Sequence, residues 1–262
     1  MNLEVITRKP AKSSDHPPLL LIHGAWHGAW CWEWYQDYFA EHGYESHALS
    51  LRGHGASECP QHYNWTRIAA YVEDVAEVVK RFPDPPVLIG HSMGGFIIQK
   101  YLEQKKAPAA VLLATIPVHG IFPMFLRIGL KHPWQAVKCL ARADTRALLE
   151  TRDLAREALF SVDVPEETLD RCFAALQREA YAAGWDTLLF DLPKPDKVNI
   201  PPLLVLGGAD DRLFHPDEIE KTARMYHTRA EIIPRMAHNM IVEQEWRKAA
   251  GRIVEWLNAK GF

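Results

Sequence analysis

An α/β fold, with a mostly parallel central sheet and helices on both faces, is predicted by three features of the 262-residue sequence. Short apolar runs at 19–22, 87–89, 109–114 and 203–206 alternate with longer stretches of helical periodicity, the rhythm of strand–helix–strand units. These runs are apolar at successive positions instead of every second one, as strands covered on both faces are. Residues able to do chemistry stand just after the runs, and open parallel sheets hold ligands outside the carboxyl ends of their strands.

In chain order, Leu3 to Thr7 alternates like a first strand, and Pro10 to Pro18 is a polar turn. Leu19 to Ile22 is a central strand that ends at His23-Gly24-Ala25-Trp26-His27-Gly28. Trp30 to His42 has helical spacing, with Trp34, Tyr38 and Phe39 on one face, and Gly43 stops it. Tyr44 to Leu49 is a strand, followed by the turn-rich Leu51-Arg52-Gly53-His54-Gly55-Ala56-Ser57. Ile68 to Phe82 repeats apolar residues at three- and four-residue steps, as an amphipathic helix does. Val87 to Ile89 and Ala109 to Ala114 are buried strands. The last part supplies Leu203–Leu206 (strand), Pro216–Tyr226 (helix), Ala230–Ile233 (strand) and Val242–Leu257 (helix).

Between residues 116 and 200 the strand rhythm stops. Helical stretches replace it at Met124–Leu130, Trp134–Leu140, Thr145–Phe160 and Pro165–Ala182. An insertion between two strand ends sits on the carboxyl rim of the sheet. The expected organisation is therefore a core of residues 1–115 and 201–262, with 116–200 a helical cap over the site. Helices that only add bulk to the core are the alternative.

Composition narrows the function. A formal net charge of −3 gives no electrostatic footprint for nucleic acid. Cys31, Cys59, Cys139 and Cys172 stand far apart with no C-x-x-C pair, against a zinc ribbon or disulfide framework. Met1 to Pro10 lacks an apolar signal-peptide core, and no apolar run approaches membrane-spanning length. A cytoplasmic protein without metal or cofactor, and without stable membrane insertion, is expected; the sequence leaves its oligomeric state open.

The stretch with the most specific chemistry is Val87-Leu88-Ile89-Gly90-His91-Ser92-Met93-Gly94-Gly95-Phe96-Ile97-Ile98. A serine driven through a sharp strand-to-helix turn sits in a strained conformation with chain close on both sides. Glycine at each flank removes the Cβ atoms that would clash. The turn presents the Ser92 hydroxyl above the sheet edge and leaves amides at a helix N-terminus facing any anion formed there.

A serine hydroxyl becomes a nucleophile when a neutral imidazole accepts its proton and a carboxylate orients that imidazole. The chain order for this kind of scaffold is Ser, acid, His. Downstream, Leu206-Gly207-Gly208-Ala209-Asp210-Asp211 supplies the acid after a strand, from either aspartate. The next strand ends at Pro234-Arg235-Met236-Ala237-His238, so His238 is the expected base. Of the 13 histidines, His54 is a rival base in a Gly-rich loop, His23 and His91 orient loops, and His42, His62, His132 and His227 are surface or loop residues. The oxyanion donors are expected to be the Met93 amide and the Ala25 amide, with Trp26 as the alternative to Ala25. Trp26, His119 and Phe122 are the expected substrate-binding residues, while Trp30 and Trp32 either line the pocket or pack on the core.

With His23-Gly24, Arg52-Gly53-His54-Gly55, Gly90-His91-Ser92-Met93-Gly94-Gly95, Asp211 and His238 in this order, the chain resembles the α/β-hydrolase superfamily, of the serine esterase or lipase type. His23-Gly24-Ala25-Trp26-His27-Gly28-Ala29-Trp30-Cys31-Trp32 is further similar to the plant methylesterase and hydroxynitrile lyase branch. That branch places proline five residues after its acid; Asp211 and Pro216 fit this spacing and Asp210 does not. Asn239 stands where the lyases carry a lysine, which counts against cyanohydrin cleavage. A serine nucleophile counts against the branches that use aspartate there, the haloalkane dehalogenases and epoxide hydrolases.

The resemblance implies a serine hydrolase that forms an acyl-enzyme on Ser92. The apolar density at 121–130 suggests a carboxylic ester with a hydrophobic acyl or alcohol group as the small-molecule substrate. C–C bond, lactone or amide hydrolysis and perhydrolysis are alternatives on the same residues. A ligand receptor that keeps the fold and hydrolyses little is an alternative of another class.

Overall fold

The structure, a computed structural model, describes residues 1–12 and 15–262. Ser13 and Ser14, in the expected Pro10–Pro18 turn, lie outside the described residues. The first part alternates as β1 (Val5–Arg8), β2 (Leu19–Ile22), α1 (Glu33–Glu41), β3 (Ser46–Leu49), α2 (Ile68–Val79), β4 (Val87–His91), α3 (Met93–Leu102) and β5 (Ala110–Leu113). Five helices follow: α4 (Phe122–Lys131), α5 (Pro133–Arg142), α6 (Arg152–Leu159), α7 (Glu166–Ala175) and α8 (Tyr181–Trp185). The alternation then resumes with β6 (Leu203–Gly208), α9 (Pro216–Met225), β7 (Ala230–Ile233) and α10 (Trp246–Lys260).

The seven strands form one sheet in the order β1-β3-β2-β4-β5-β6-β7. Only β1 runs antiparallel to its neighbour. Every residue of β2, β4, β5 and β6 is buried, whereas in the edge strands β1 and β7 Ile233 alone is. This burial is the physical cause of the unbroken apolar runs, since helices cover both faces. Each fully buried leucine of β2 contributes roughly 2 kcal/mol of hydrophobic stabilisation. The order reverses at β2, which pairs with β3 on one side and β4 on the other. Loops leaving the carboxyl ends of β2 and β4 therefore diverge and open a crevice.

Three expected helices are broken or shortened by hydrogen bonds from elsewhere. The run 145–160 splits into a 3-10 turn (145–149) and α6, because the Thr151 hydroxyl accepts from the Leu154 amide and restarts the helix. The run 165–182 stops at Leu176, whose backbone turns extended. The next residue, Gln177, donates its amide to the Trp26 carbonyl at 2.8 Å. Helix α10 begins at Trp246 instead of Val242. Residues before it are held in turns, and the Glu243 carboxylate is taken by the amide and hydroxyl of Ser161 at 2.7 and 2.6 Å.

Candidate active site

Ser92 joins β4 to α3 with φ 54° and ψ −117°, a region that costs a non-glycine residue about 1–3 kcal/mol. Its amide donates to the Leu113 carbonyl at 2.9 Å, and its carbonyl accepts from the Phe96 and Ile116 amides at 3.2 and 3.1 Å. These bonds hold the strained turn. The flanking glycines are required by close approach. A Cβ on Gly90 would lie 2.5 Å from the backbone of Gly94, and one on Gly94 would lie 2.1 Å from the Ile22 carbonyl oxygen. A Cβ on Gly24 would come within 2.9 Å of the Ser92 Cβ, so the loop after β2 packs directly on the serine.

The loops after β6 and β7 reach the same point. His238 Nε2 lies 2.9 Å from Ser92 Oγ, and His238 Nδ1 lies 2.9 Å from Asp211 Oδ2. The other Asp211 oxygen accepts from the amides of Leu213 and Phe214 at 2.8 and 2.9 Å. Ser92, Asp211 and His238 are all buried, whereas Asp210 is exposed. A hydroxyl, imidazole and carboxylate in this series can move a proton off the hydroxyl and hold the resulting imidazolium.

The amides of Ala25, Trp26 and Met93 donate to no partner among the described residues, and all three residues border the pocket that contains Ser92. Trp26 itself has φ 64° and is fixed from two sides. Its carbonyl accepts from Gln177, and its indole donates to Thr145 Oγ1 at 3.0 Å.

A layer of buried histidines backs these loops. His23 donates Nδ1–H to the Gly24 carbonyl at 2.8 Å and accepts from the Leu51 amide at 3.0 Å. His91 donates Nε2–H to the carbonyl of His238 at 2.9 Å. His27 donates Nδ1–H to the Ala25 carbonyl at 2.7 Å, and its Nε2 accepts from the Asn239 side-chain amide at 3.3 Å. Burial, and then repulsion from neighbouring imidazoles, pushes His23 and His91 well below the usual histidine range. Burial brings His27 down to about 4. All three are thus neutral near pH 7, as their acceptor and single-donor roles require.

His54 does not contact Ser92. Its Nε2 lies 3.2 Å from Glu179, and both side chains are buried. Glu179 also accepts from Tyr71 Oη at 2.5 Å and from the Ala180 amide at 2.8 Å. Burial alone would push this carboxyl up; the attraction of His54 and the donated hydrogen bonds outweigh it and hold the group below its ordinary value. Nearby, Asp186 takes the Arg67 guanidinium and the Ile68 amide. Sequence reasoning missed Glu179, Asp186 and the His27–Asn239 link. A Gly-rich loop histidine facing an acid on the far segment was the one available signal.

The pocket over Ser92 encloses about 830 Å³, open solvent at its mouth included. Ile121, Met124, Phe125, Leu148, Trp185 and Leu213 are among its apolar walls, with Glu179 the charged group in the lining. Two of the residues named from sequence lie elsewhere. Phe122 stands half exposed at the start of α4, and Phe125, three residues on, points inward in its place. His119 turns to Glu218, 3.5 Å away. Trp30 and Trp32 pack on the core and are absent from the lining. Among the described residues no three His, Cys, Asp or Glu side chains cluster in a way that would hold a metal ion, and no helix is long and apolar enough to cross a membrane.

The model of the alpha/beta hydrolase family matches residues 19–251, nearly the whole span from β2 to α10. The chain belongs to the alpha/beta hydrolase family. This alpha/beta hydrolase is 40% identical to human protein ABHD8 over 77 residues, 29% of this chain and 18% of that protein. It is 30% identical to a pyrethroid hydrolase of Sphingobium wenxiniae over 108 residues, 40% of this chain and 38% of that enzyme. The matched segments thus span well under half the length of either curated relative. Among solved structures, an esterase from Exiguobacterium antarcticum superposes with a TM-score of 0.75 at 17% identity, covering 98% of this chain and 95% of that one. At that identity the likeness extends to the fold. Within it, the alpha/beta hydrolase sheet carries Ser92 and Gly24 at the crevice where the strand order reverses.

Proposed function

We propose that the protein is a serine hydrolase that cleaves carboxylic esters bearing a hydrophobic acyl or alcohol group. The observation that carries this reading is the unbroken 2.9 Å series from Ser92 Oγ through His238 to Asp211 at the floor of an apolar pocket. In the reaction, Ser92 Oγ forms a bond to the ester carbonyl carbon while His238 Nε2 takes its proton. Asp211 holds the imidazole by Nδ1 and steadies the imidazolium. The negative charge on the carbonyl oxygen is met by the amides of Met93 and Ala25, each such donor contributing about 3 kcal/mol to lowering the barrier. The C–O bond then breaks, and the alcohol leaves with the proton from His238. Water, deprotonated by the same imidazole, releases the acid and restores Ser92.

Residues 116–200 act in this reading as a cap whose inner walls choose the substrate, with Trp26, Phe125 and Trp185 around the acyl or aryl part. The similarity to a pyrethroid hydrolase over 38% of that enzyme supports the hydrolytic part of this reading. A fluorophosphonate probe should label the protein at Ser92 and leave the Ser92→Ala variant unlabelled. A series of nitrophenyl esters should then show kcat/KM rising beyond acetate as the acyl chain lengthens. Absence of labelling would reject the nucleophile, and a strict preference for acetate would reject the apolar pocket.

A further inference from the structure

Helices α4 and α5 bury one side each and leave the other apolar. On α4 the residues spaced by four, Phe122, Leu126 and Leu130, are exposed, Leu130 to 78%. On α5 the exposed residues include Trp134, at 65%, and Val137. Spacings of three and four put side chains on one face of a helix, so these are continuous stripes. Scattered surface hydrophobes need no explanation, but a contiguous patch on a folded chain marks a contact. The opposite sides are engaged: Met124 and Phe125 face the pocket, Ile128 packs with Cys139 and Leu148, and Ala136 meets Gly129.

Two further observations name the occupant. The first is charge. Residues 122–142 contain Arg127, Lys131, Lys138 and Arg142 and no acidic residue. Each has an acidic neighbour on another element: Glu218 for Arg127, Glu157 for Lys131, and Glu150 for Lys138 and Arg142. Lys131 and Arg142 are nonetheless more exposed than those partners, and exposed pairs of this kind contribute little and are open to exchange. The second is continuity with the pocket. Leu140, nearly half exposed on α5, also borders the cavity above Ser92. The apolar outer face and the apolar inner cavity therefore meet at one residue.

We propose that the α4–α5 hairpin is a docking surface for an anionic lipid layer, lying in the interface with its apolar stripe among the acyl chains and its cations at the headgroups. A short amphipathic helix with basic residues and exposed Phe, Leu and Trp binds lipid in this manner. Anionic headgroups take over the part of Glu150 and Glu157 around Lys131 and Arg142. This surface stands apart from the reading of Ser92, and its binding is measured without turnover.

The test is flotation of the full chain with phosphatidylglycerol/phosphatidylcholine vesicles, with pure phosphatidylcholine in parallel, at low and high salt. The wild type should float with the anionic vesicles, less with the neutral ones, and less as salt rises. The double variant Leu130→Glu/Trp134→Glu should lower the bound fraction about tenfold. Its thermal midpoint should stay within about 4 °C of wild type, and its turnover of a short water-soluble ester within about twofold. Should that variant fold poorly, Leu130→Ser/Trp134→Ser serves the same purpose, and the Trp134→Phe difference spectrum should lose a blue shift on vesicle addition. The proposal is overturned if the wild type stays unbound, if the variants bind equally, or if binding ignores both headgroup charge and salt. It is equally overturned if sedimentation shows a dimer that the stripe variants dissolve while vesicles go unbound, which would make a second copy the occupant.

Discussion

Three histidines that hold the loops around Ser92 make the fold acid-sensitive above the range where carboxylates titrate. Burial is the main reason that His23, His27 and His91 stay neutral, and His27 is brought down to about 4. The unfolded chain protonates the same side chains near 6.5. Between that value and the folded-state values the unfolded chain binds more protons, so stability falls as pH falls. Each residue contributes about 1.4 kcal/mol per pH unit once below its unfolded value. From about pH 7 to about pH 5.5 that amounts to about 1 kcal/mol per residue, and roughly 3 to 4 kcal/mol for the three. Typical domains have only about 5–15 kcal/mol in total. His47, also lowered chiefly by burial, adds to the loss, whereas Glu243, raised by its burial, acts in the opposite sense. The carboxyls held low, such as Glu179 and Glu218, stay ionised across this window and drop out. Urea unfolding at the two pH values measures the difference. His27→Gln removes one titrating ring and should shrink the drop by about 1 kcal/mol. A midpoint that holds or rises on acidification would refute the reasoning, as would a full drop in His27→Gln.

The other outcomes concern the site and its supports. Asp211→Asn keeps acceptors for Leu213 and Phe214 but presents an amide to His238, favouring the tautomer that cannot take the Ser92 proton; kcat should fall by about 10⁴ with the fold intact, and a loss under tenfold would remove Asp211 from the series. Gly94→Ala drives a Cβ against the Ile22 carbonyl and should cost about 3 kcal/mol or more by thermal unfolding; a wild-type melt would show that the loops are not packed so closely. Tyr71→Phe takes the 2.5 Å donor from the buried Glu179 carboxylate and should cost about 1.5–3 kcal/mol, read by the same melts.

What was legible in the sequence follows from how each element is held. Strands β2, β4, β5 and β6 are buried on both faces, so their pattern is a run of apolar residues that needs no partner to be read. The elbow was legible because its strain imposes Gly90 and Gly94 locally. Helix ends between 145 and 182 were not, since Gln177 is pulled to Trp26, and Glu179 to Tyr71, by bonds across more than a hundred residues. Periodicity also shows that α4 has an apolar face without saying which side meets the pocket. Phe122 and Phe125 are both aromatic, and only the tertiary structure, which ties the Ile121 amide to the Thr187 carbonyl just before α4, leaves the first half exposed and the second in the pocket lining.

The same contrast divides the pocket into a fixed floor and an adjustable roof. The floor is backbone against backbone: Gly94 on the Ile22 carbonyl, Gly24 on Ser92, and Gly208, whose Cβ would lie 2.2 Å from the Met236 carbonyl oxygen. Such contacts tolerate no side chain and keep the loops after β2, β4, β6 and β7 in one arrangement whatever the substrate. The roof is held at its C-terminal end by Glu179 and Asp186 on the α2 side, and at α4 by Arg127 on the Leu213 carbonyl and Glu218. Between those anchors, α5 rests on a small cluster of Cys139, Ala147 and Leu148 separate from the main core. Substitutions there are expected to alter the shape above Ser92 without straining the series of groups below it, so under the proposed function substrate choice would change while the floor stays constant.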